Sequence, residues 1–181
     1  MNGKRKLASF ASLAIPAIGL CLFPACGAKK APAVATDESG GVMASMIHMA
    51  DPAVAKQLVT GWHPVEHNAW RWTAGKFSVV LRPPPGAPQK GAVLSLKLTI
   101  PDPVFAQSKA ITLSADVQGA ALPPQTFGEA GGHTYQRDVD AKLLAAESVT
   151  VNFALDKFLA PGEADRRELG VVVSAVGLEA K

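Results

Sequence analysis

A stretch near the middle of the chain, VLSLKLTI at residues 93–100, decides the fold because every second side chain is a large aliphatic one. A two-residue period is typical of a β-strand with one buried face, since successive side chains of a strand point to opposite sides of the sheet. The same period recurs at residues 77–81, 111–117, 149–155 and 169–173. The sequence therefore predicts several half-buried strands.

Turn-forming residues separate these strands. They are PPPG at 83–86, PDP at 101–103, QG at 118–119, GG at 131–132 and PG at 161–162. Short strands at this spacing, with no long helical pattern between them, indicate antiparallel pairing. A single sheet would leave its apolar face in water, so two facing sheets are needed. We predict an all-β domain at residues 61–181, an antiparallel β-sandwich or jelly roll of about seven to eight strands.

The last strand changes phase along its length. Leu169, Val171 and Val173 share one phase, whereas Val176 and Leu178 are shifted by one position. An extra residue in one strand of an antiparallel pair produces such a shift. The sequence predicts a β-bulge at residues 174–175.

Residues 42–60 carry a different pattern and predict a short helical segment in two pieces. Asp51 and Pro52 fit the N-cap and the first position of a helix that continues through residues 53–59, and Gly61 fits its end. The first piece has an apolar stripe, which we interpret as packing against the edge of the domain rather than as a metal site. This stripe consists of Met43, Met46, Ile47 and Met49.

The N-terminus has the features of an export signal. Residues 1–6 are positively charged, and residues 7–23 form an apolar run of the length of a signal-peptide core. The run ends in LFPAC at residues 22–26, which resembles the lipobox of bacterial lipoproteins. The resemblance implies a signal peptide at residues 1–25 and diacylation of Cys26.

Residues 26–41 then form a lipidated start and a flexible tether, because Ala, Lys, Pro, Thr and Gly dominate them. By the lipoprotein sorting rule, Gly27 implies an outer-membrane address, on the membrane or its periplasmic face. Cleavage near Ala25 or Ala28 is the alternative, and it would release a free periplasmic or secreted protein. We therefore expect a membrane partner through the lipid anchor.

The charge of the chain argues against a nucleic-acid partner. Its formal net charge is +3, but the predicted signal peptide contains Lys4, Arg5 and Lys6, and their removal leaves the charge balanced. Cys21 would leave with the signal peptide and Cys26 would carry lipid, so we predict no disulfide, no cysteine metal site and no cofactor.

Two segments stand apart from the strand pattern. GWHPVEHNAWRWT at residues 61–73 contains all three tryptophans and two of the four histidines. DRRELGV at residues 165–171 opens the last strand with charges. In a strand, Trp70 and Trp72 point to one side and Arg71 to the other.

These segments, with alternating strands between them, resemble an uncharacterised bacterial β-sandwich module of carbohydrate-binding-like topology, which also occurs appended to glycosyltransferases. The resemblance covers residues 61–178 and implies a sandwich fold more than a particular function. The matching positions are Glu66, Trp70, Arg71, Trp72, Arg167, Glu168 and Gly170.

The tryptophans have two interpretations. Trp62, Trp70 and Trp72 could form a platform on which sugar rings stack, with Trp62 the most exposed, because indole faces pack against the C–H faces of pyranoses. Alternatively, Trp70 and Trp72 belong to the core, as alternate residues of a sandwich strand often do.

A polar cluster of four residues also has two interpretations. Glu66, Arg71, Arg167 and Glu168 could orient a ligand, since a guanidinium binds carboxylates with two hydrogen bonds. The alternative, which we favour, is a salt-bridge network that joins the first and last strands of the domain.

Catalytic motifs are missing from the sequence. Glu66 and Glu168 are its one plausible pair of catalytic carboxylates, and arginines adjoin both. His63 and His67 have helical metal-ligand spacing, but Pro64 disfavours a helix there, so we predict no metal site.

The sequence therefore favours a membrane-tethered, non-enzymatic module that binds a polysaccharide or assists envelope assembly. A purely structural lipoprotein, or one that binds an envelope protein, is the alternative. A glycoside hydrolase that uses Glu66 is the least favoured.

Overall fold

A computed structural model describes residues 43–163 and 165–181, and the predicted signal peptide, Cys26 and tether lie outside them. The described residues form nine β-strands, two short α-helices and two 3₁₀ helices. None of these helices is long and apolar enough to cross a membrane. The strands are β1 (Met46–His48), β2 (Leu58–Glu66), β3 (Trp70–Leu81), β4 (Ala92–Ile100), β5 (Ile111–Val117), β6 (Ala120–Phe127), β7 (Gly131–Val139), β8 (Val149–Leu155) and β9 (Val172–Ala180). The helices are α1 (Ala87–Lys90), α2 (Asp102–Ser108) and the 3₁₀ helices Pro52–Gln57 and Ala141–Leu144.

Strand β3 connects two layers of antiparallel strands. Its C-terminal half pairs with β8, and Arg71 and Trp72 near its start pair with β9. One sheet therefore has the order β2-β3-β8-β5-β6, and the other has the order β7-β4-β9-β1. This arrangement confirms the predicted antiparallel β-sandwich, with nine strands in the described residues instead of seven or eight.

One continuous core lies between the sheets, and the side chains that form it follow the predicted two-residue period. The aliphatic side chains of 94–100, 111–117 and 149–155 that share a phase are all buried. Phe77 and Phe153 stack at its centre with ring centroids 4.9 Å apart. Burial of each large apolar side chain contributes about 1.5–3 kcal/mol, so these strands supply most of the folding energy.

The predicted bulge in the last strand is confirmed. Lys97 of β4 pairs with Ala175 of β9, whereas the next residue, Leu98, pairs with Val173. Ser174 is therefore the extra residue, and it allows Val176 and Leu178 to be buried despite their shifted phase.

The helical segment predicted at residues 42–60 is confirmed in its second piece as far as Gln57, and its first piece is wrong. Its first piece is β1, in which Ile47 is buried and His48 is exposed, a strand-like alternation. The Asp51 carboxylate does cap a helix by accepting the Ala53 N–H at 2.9 Å, but this 3₁₀ helix ends at Gln57. Gly61 lies inside β2 with φ of +73°.

The physical reason is tertiary pairing, which overrides the local helical signal. The buried Gln57 amide accepts the Ala44 N–H at 2.8 Å and donates to the carbonyls of Ala44 at 3.0 Å and Val80 at 2.8 Å. A Cβ at residue 61 would collide with the Lys76 carbonyl, so only glycine allows β2 to approach β3 there.

The sandwich is also closed on the side of β6 and β7. The Arg137 guanidinium of β7 donates to the carbonyls of Pro123 at 2.7 Å and Pro124 at 2.9 Å in β6, and it lies over the Tyr135 ring at 4.5 Å. The Tyr135 hydroxyl donates to the Pro123 carbonyl at 3.0 Å. These contacts join the edge strands of the two sheets.

Candidate functional site

The tryptophan-rich stretch forms the β2–β3 hairpin. Backbone of left-handed conformation at His67 and Asn68 turns the chain, and the Ala69 N–H donates to the Glu66 carbonyl at 3.1 Å. In the ladder Glu66 lies opposite Trp70, and Trp62 lies opposite Thr73. The predicted site residues of this stretch therefore belong to one hairpin but face its two sides.

Trp62 faces the core side of the hairpin. Its ring is half-buried and packs edge-on against Phe77, with centroids 5.0 Å apart. Its indole N–H donates to the Ser78 carbonyl at 2.8 Å. Its ring packs against the core and its N–H is bonded, and Trp62, predicted to be the most exposed of the three tryptophans, is half-buried as Trp70 and Trp72 are.

Trp70 and Trp72 face the opposite side of β3 from the buried Thr73, and both are half-buried. Their rings meet edge to face with centroids 6.4 Å apart, and His67 lies 5.4 Å from Trp70. Trp72 also packs against the margin of the core. The pair is neither a fully buried core pair nor a single flat platform.

The four residues of the predicted polar cluster do not form one network. Arg167 bonds Glu66 at 2.8 Å, which joins the hairpin to the segment before β9. Glu168 instead accepts the Gly75 N–H at 2.6 Å. Arg71 projects from the other side of β3 and donates to the His63 carbonyl at 3.0 Å.

Asp165 completes the ion-paired part of this cluster; it lies in the charged segment 165–171 but was not among the four residues predicted for the cluster. Its carboxylate accepts hydrogen bonds from the side chain and the backbone N–H of Arg167. These bonds lower the pKa of Asp165 to about 2 and raise that of Arg167. The spacing Asp-x-Arg was the available signal, because an Asp side chain readily bonds the backbone N–H two residues on.

This geometry does not favour acid–base catalysis at Glu66. A hydrolase would need Glu66 free of arginine contacts, and instead the Arg167 guanidinium is 2.8 Å away. The second carboxylate, Glu168, is held by a backbone N–H. Within residues 43–163 and 165–181, no three His, Cys, Asp or Glu side chains are close enough together to hold a metal ion.

A groove on the outer face of the β2-β3-β8-β5-β6 sheet offers a better binding site. Its volume is about 450 Å³, within the range of small-molecule sites. Its floor consists of outward side chains of these strands, most of them short and polar. They are Thr60, Lys76, Ser78, Ser114, Asp116, Ala121, Asn152 and Ala154.

Hydrogen bonds fix the groove floor in place. The hydroxyls of Thr60 and Ser78 are 2.9 Å apart. One Asp116 oxygen accepts the Asn152 amide at 3.0 Å and the Gly119 N–H at 2.9 Å. The floor therefore presents a carboxylate and an amide in set positions.

The sequence contained part of the signal for this groove. Ser78, Ser114 and Asp116 occupy the outward phase of strands whose inward phase is aliphatic. Their assembly into one surface depends on which strands are neighbours and in what register, and the periodicity of single strands does not specify either.

A second cleft, of about 430 Å³, lies beyond the C-terminal end of β3. Prolines 83, 84, 85 and 88 contribute much of its wall. Because proline has neither a backbone N–H nor a polar side chain, these four residues present no hydrogen-bond donor, whereas the groove floor is mostly polar. We therefore take the groove as the candidate functional site.

No protein-family model matches the chain, and no curated protein matches it. Similar solved structures include TmCBM27, a carbohydrate-binding module that recognises mannan, at 11% identity and a TM-score of 0.43, covering 77% of this chain and 98% of that one. The CBM36-1 domain of a multidomain xylanase from the hindgut metagenome of Trinervitermes trinervoides is similar at 7% identity and a TM-score of 0.35, covering 59% of this chain and 71% of that one.

A third similar structure contains the CBM51-2 and INT domains of Clostridium perfringens ZmpB in complex with GlcNAc. Its identity is 10% and its TM-score is 0.37, and the match covers 75% of this chain but 28% of that one. At these scores the likeness says nothing about a ligand.

Proposed function

We propose that this protein is a non-enzymatic module that binds a polysaccharide in the groove of the β2-β3-β8-β5-β6 sheet. The observation that carries the proposal is the floor of short hydrogen-bonding side chains in a groove of about 450 Å³. A sugar hydroxyl both donates and accepts, so its site needs both kinds of partner. Lys76 and the Asn152 amide donate, Asp116 accepts, and Ser114 can do either.

The charges of the groove support a ligand with many hydroxyls and little net charge. Lys76 and Asp116 line it, so one cation balances one anion. A strongly charged polymer would instead favour a wall of one charge sign. Ala121 and Ala154 add small apolar surface, against which the C–H faces of a sugar ring can pack.

The test is affinity electrophoresis of the full-length protein in gels that contain soluble polysaccharides. We expect Asn152→Ala to weaken retention about tenfold, because it removes one hydrogen-bonding group and frees Asp116 from its partner. Gln136→Ala is the matched control, since Gln136 is an exposed amide on β7 in the other sheet.

Two outcomes would contradict the proposal: retention by no polysaccharide, or the same loss in both variants. Failure of sugar binding would favour the alternative of a structural or protein-binding lipoprotein. In that case the half-buried Trp70 and Trp72 beside the Glu66–Arg167 pair would be the surface to examine.

We also propose that the protein is tethered to the outer membrane or its periplasmic face through Cys26. The lipobox-like residues 22–26 support this proposal. Cys26→Ser should abolish incorporation of labelled palmitate, because the thiol is the acylation site. Cys21→Ser, which changes the other cysteine of the chain, should leave labelling intact. Unchanged labelling of Cys26→Ser would refute lipidation at this residue.

A further inference from the structure

We infer that the groove binds the interior of an extended, linear polysaccharide that lies across the strands, and this inference rests on the proposed function. Five residues in direct register carry it. Thr60 lies opposite Ser78, Ser78 opposite Asn152, Asn152 opposite Asp116, and Asp116 opposite Ala121. Directly opposed residues point to the same face, so these five form one row across five strands.

The row has the length of a short polymer segment. Neighbouring strands are about 4.8 Å apart, so four intervals span about 19 Å. A pyranose chain in an extended, equatorially linked conformation advances per sugar by roughly this strand spacing. Four of the five strands can therefore offer a side chain to successive sugar residues, whereas Ser78 on β3 is buried and its hydroxyl bonds that of Thr60.

Both ends of the row lie at edges of the sheet, which favours binding to the interior of a polysaccharide chain rather than to its end. The row begins on β2, which pairs with β3, and ends on β6, which pairs with β5. Both are edge strands of this sheet. A bound chain can therefore extend past both edges, whereas a site for a chain end needs a wall at one of them.

The side chains of the row also favour a flat, extended ligand. Thr, Ser, Asn, Asp and Ala are all short, and a second row beside it has Ala154 between Lys76 and Ser114. The five-residue row, with the long Lys76 side chain beside it, accommodates a ribbon-like chain along its length. A helical chain would lift away from the floor after a few sugars.

The experiment is titration calorimetry of the full-length protein with β-1,4-linked cello- and manno-oligosaccharides of two to about six sugars, and with α-1,4-linked malto-oligosaccharides of the same lengths. We expect the β-linked series to gain about two- to tenfold in affinity per added sugar, the effect of one net hydrogen bond, up to about four or five sugars. The helical α-linked series should gain less.

A variant at the end of the row tests whether the polysaccharide lies along the row, across the strands, as far as β6. Ala121→Phe fills the last position, so it should reduce the affinity for the longest β-linked oligosaccharide and spare the disaccharide. Thr126→Phe is the control, because Thr126 is on the same strand and face but outside the groove.

Equal affinity for short and long oligosaccharides, preference for the α-linked series, or equal effects of the two variants would overturn the inference. These results differ from failure of the proposed function, in which no sugar polymer binds at all.

Discussion

Among single residues, Gln57 shows how one buried side chain can replace backbone pairing. It is 6% exposed, and its amide makes three hydrogen bonds to backbone groups of Ala44 and Val80. It therefore holds the segment before β1 against the end of β3. A buried polar group without a partner costs about 1–3 kcal/mol, so such a residue is difficult to replace.

We expect Gln57→Leu to lower the free energy of unfolding by about 2–3 kcal/mol, because the new side chain cannot bond the backbone groups of Ala44 and Val80. Urea denaturation of both proteins measures this difference. Gln107→Leu changes an exposed glutamine of α2 and should shift stability by less than about 0.5 kcal/mol. Equal effects of the two changes would show that the Gln57 amide does not hold this segment.

At the scale of elements, the segment at 165–171 fastens the β2–β3 hairpin. Arg167 bonds Glu66, Glu168 bonds the Gly75 N–H, and the Gly170 N–H donates to the Thr73 carbonyl at 2.7 Å. A Cβ at residue 170 would approach the Thr73 hydroxyl within 2.8 Å, so the close contact requires glycine. Ion pairs and backbone bonds act together here, which makes the fastening dependent on pH.

Asp165→Asn should lower the melting temperature at pH 7, with a difference that shrinks below pH 4 and vanishes below about pH 2. The pKa of Asp165 is lowered from 3.8 to about 2, chiefly by hydrogen bonds from Arg167. A depressed pKa means that the carboxylate stabilises the fold above the ordinary value, and that this effect is lost as the pH falls through about 2. Thermal melts across this range measure it.

Glu163→Gln is the control for this pH series, because Glu163 is an exposed carboxylate in the same loop. Its melting temperature should follow that of the native protein across the range. A difference for Asp165→Asn that persists unchanged at pH 2 would show that its carboxylate charge does not stabilise the loop.

The sequence predicted the β-strands correctly where every second residue is aliphatic. The strands around Phe77, Leu96, Leu113 and Val151 follow from their period alone, because their inward side chains are all buried. The error at residues 42–60 arose because a helix cap is visible locally, whereas the pairing of β1 with β9 joins residues about 130 positions apart.

The candidate site was less predictable than the fold. The sequence singled out the tryptophans because all three lie within a few residues of one another. The β2–β3 hairpin places Trp62 on one of its faces and Trp70 and Trp72 on the other. The groove residues are ordinary short side chains, and only the register of five strands gives them a common surface. Two of those strands, β5 and β8, are separated in sequence by two others.

At the scale of the whole molecule, Arg137 joins the two sheets. Its guanidinium donates to the carbonyls of Pro123, Pro124 and Gln136 and to the Gln125 side chain, at 2.6–3.1 Å. The fork of Arg137 reaches several acceptors at once, which a lysine ammonium does not reproduce. Arg137 therefore makes most of the side-chain hydrogen bonds that close the sandwich on this side, and Tyr135 adds one to the Pro123 carbonyl.

Arg137→Ala should lower the free energy of unfolding by about 1–2 kcal/mol, and Arg137→Lys should recover little of the loss, because lysine lacks the planar fork. Chemical denaturation gives both values. Arg166→Ala, which removes an exposed arginine, should have little effect. Full recovery of stability in the lysine variant would show that the positive charge alone, without the planar guanidinium, stabilises the contact between the two sheets.

The prolines of β6 also affect how neighbouring molecules meet. Pro123 and Pro124 have no N–H to offer an incoming strand, and the Arg137 guanidinium already occupies their carbonyls. This border of the sandwich therefore cannot template a strand from another copy. Crowded together on a surface, such molecules would resist fusing along this side into a continuous sheet.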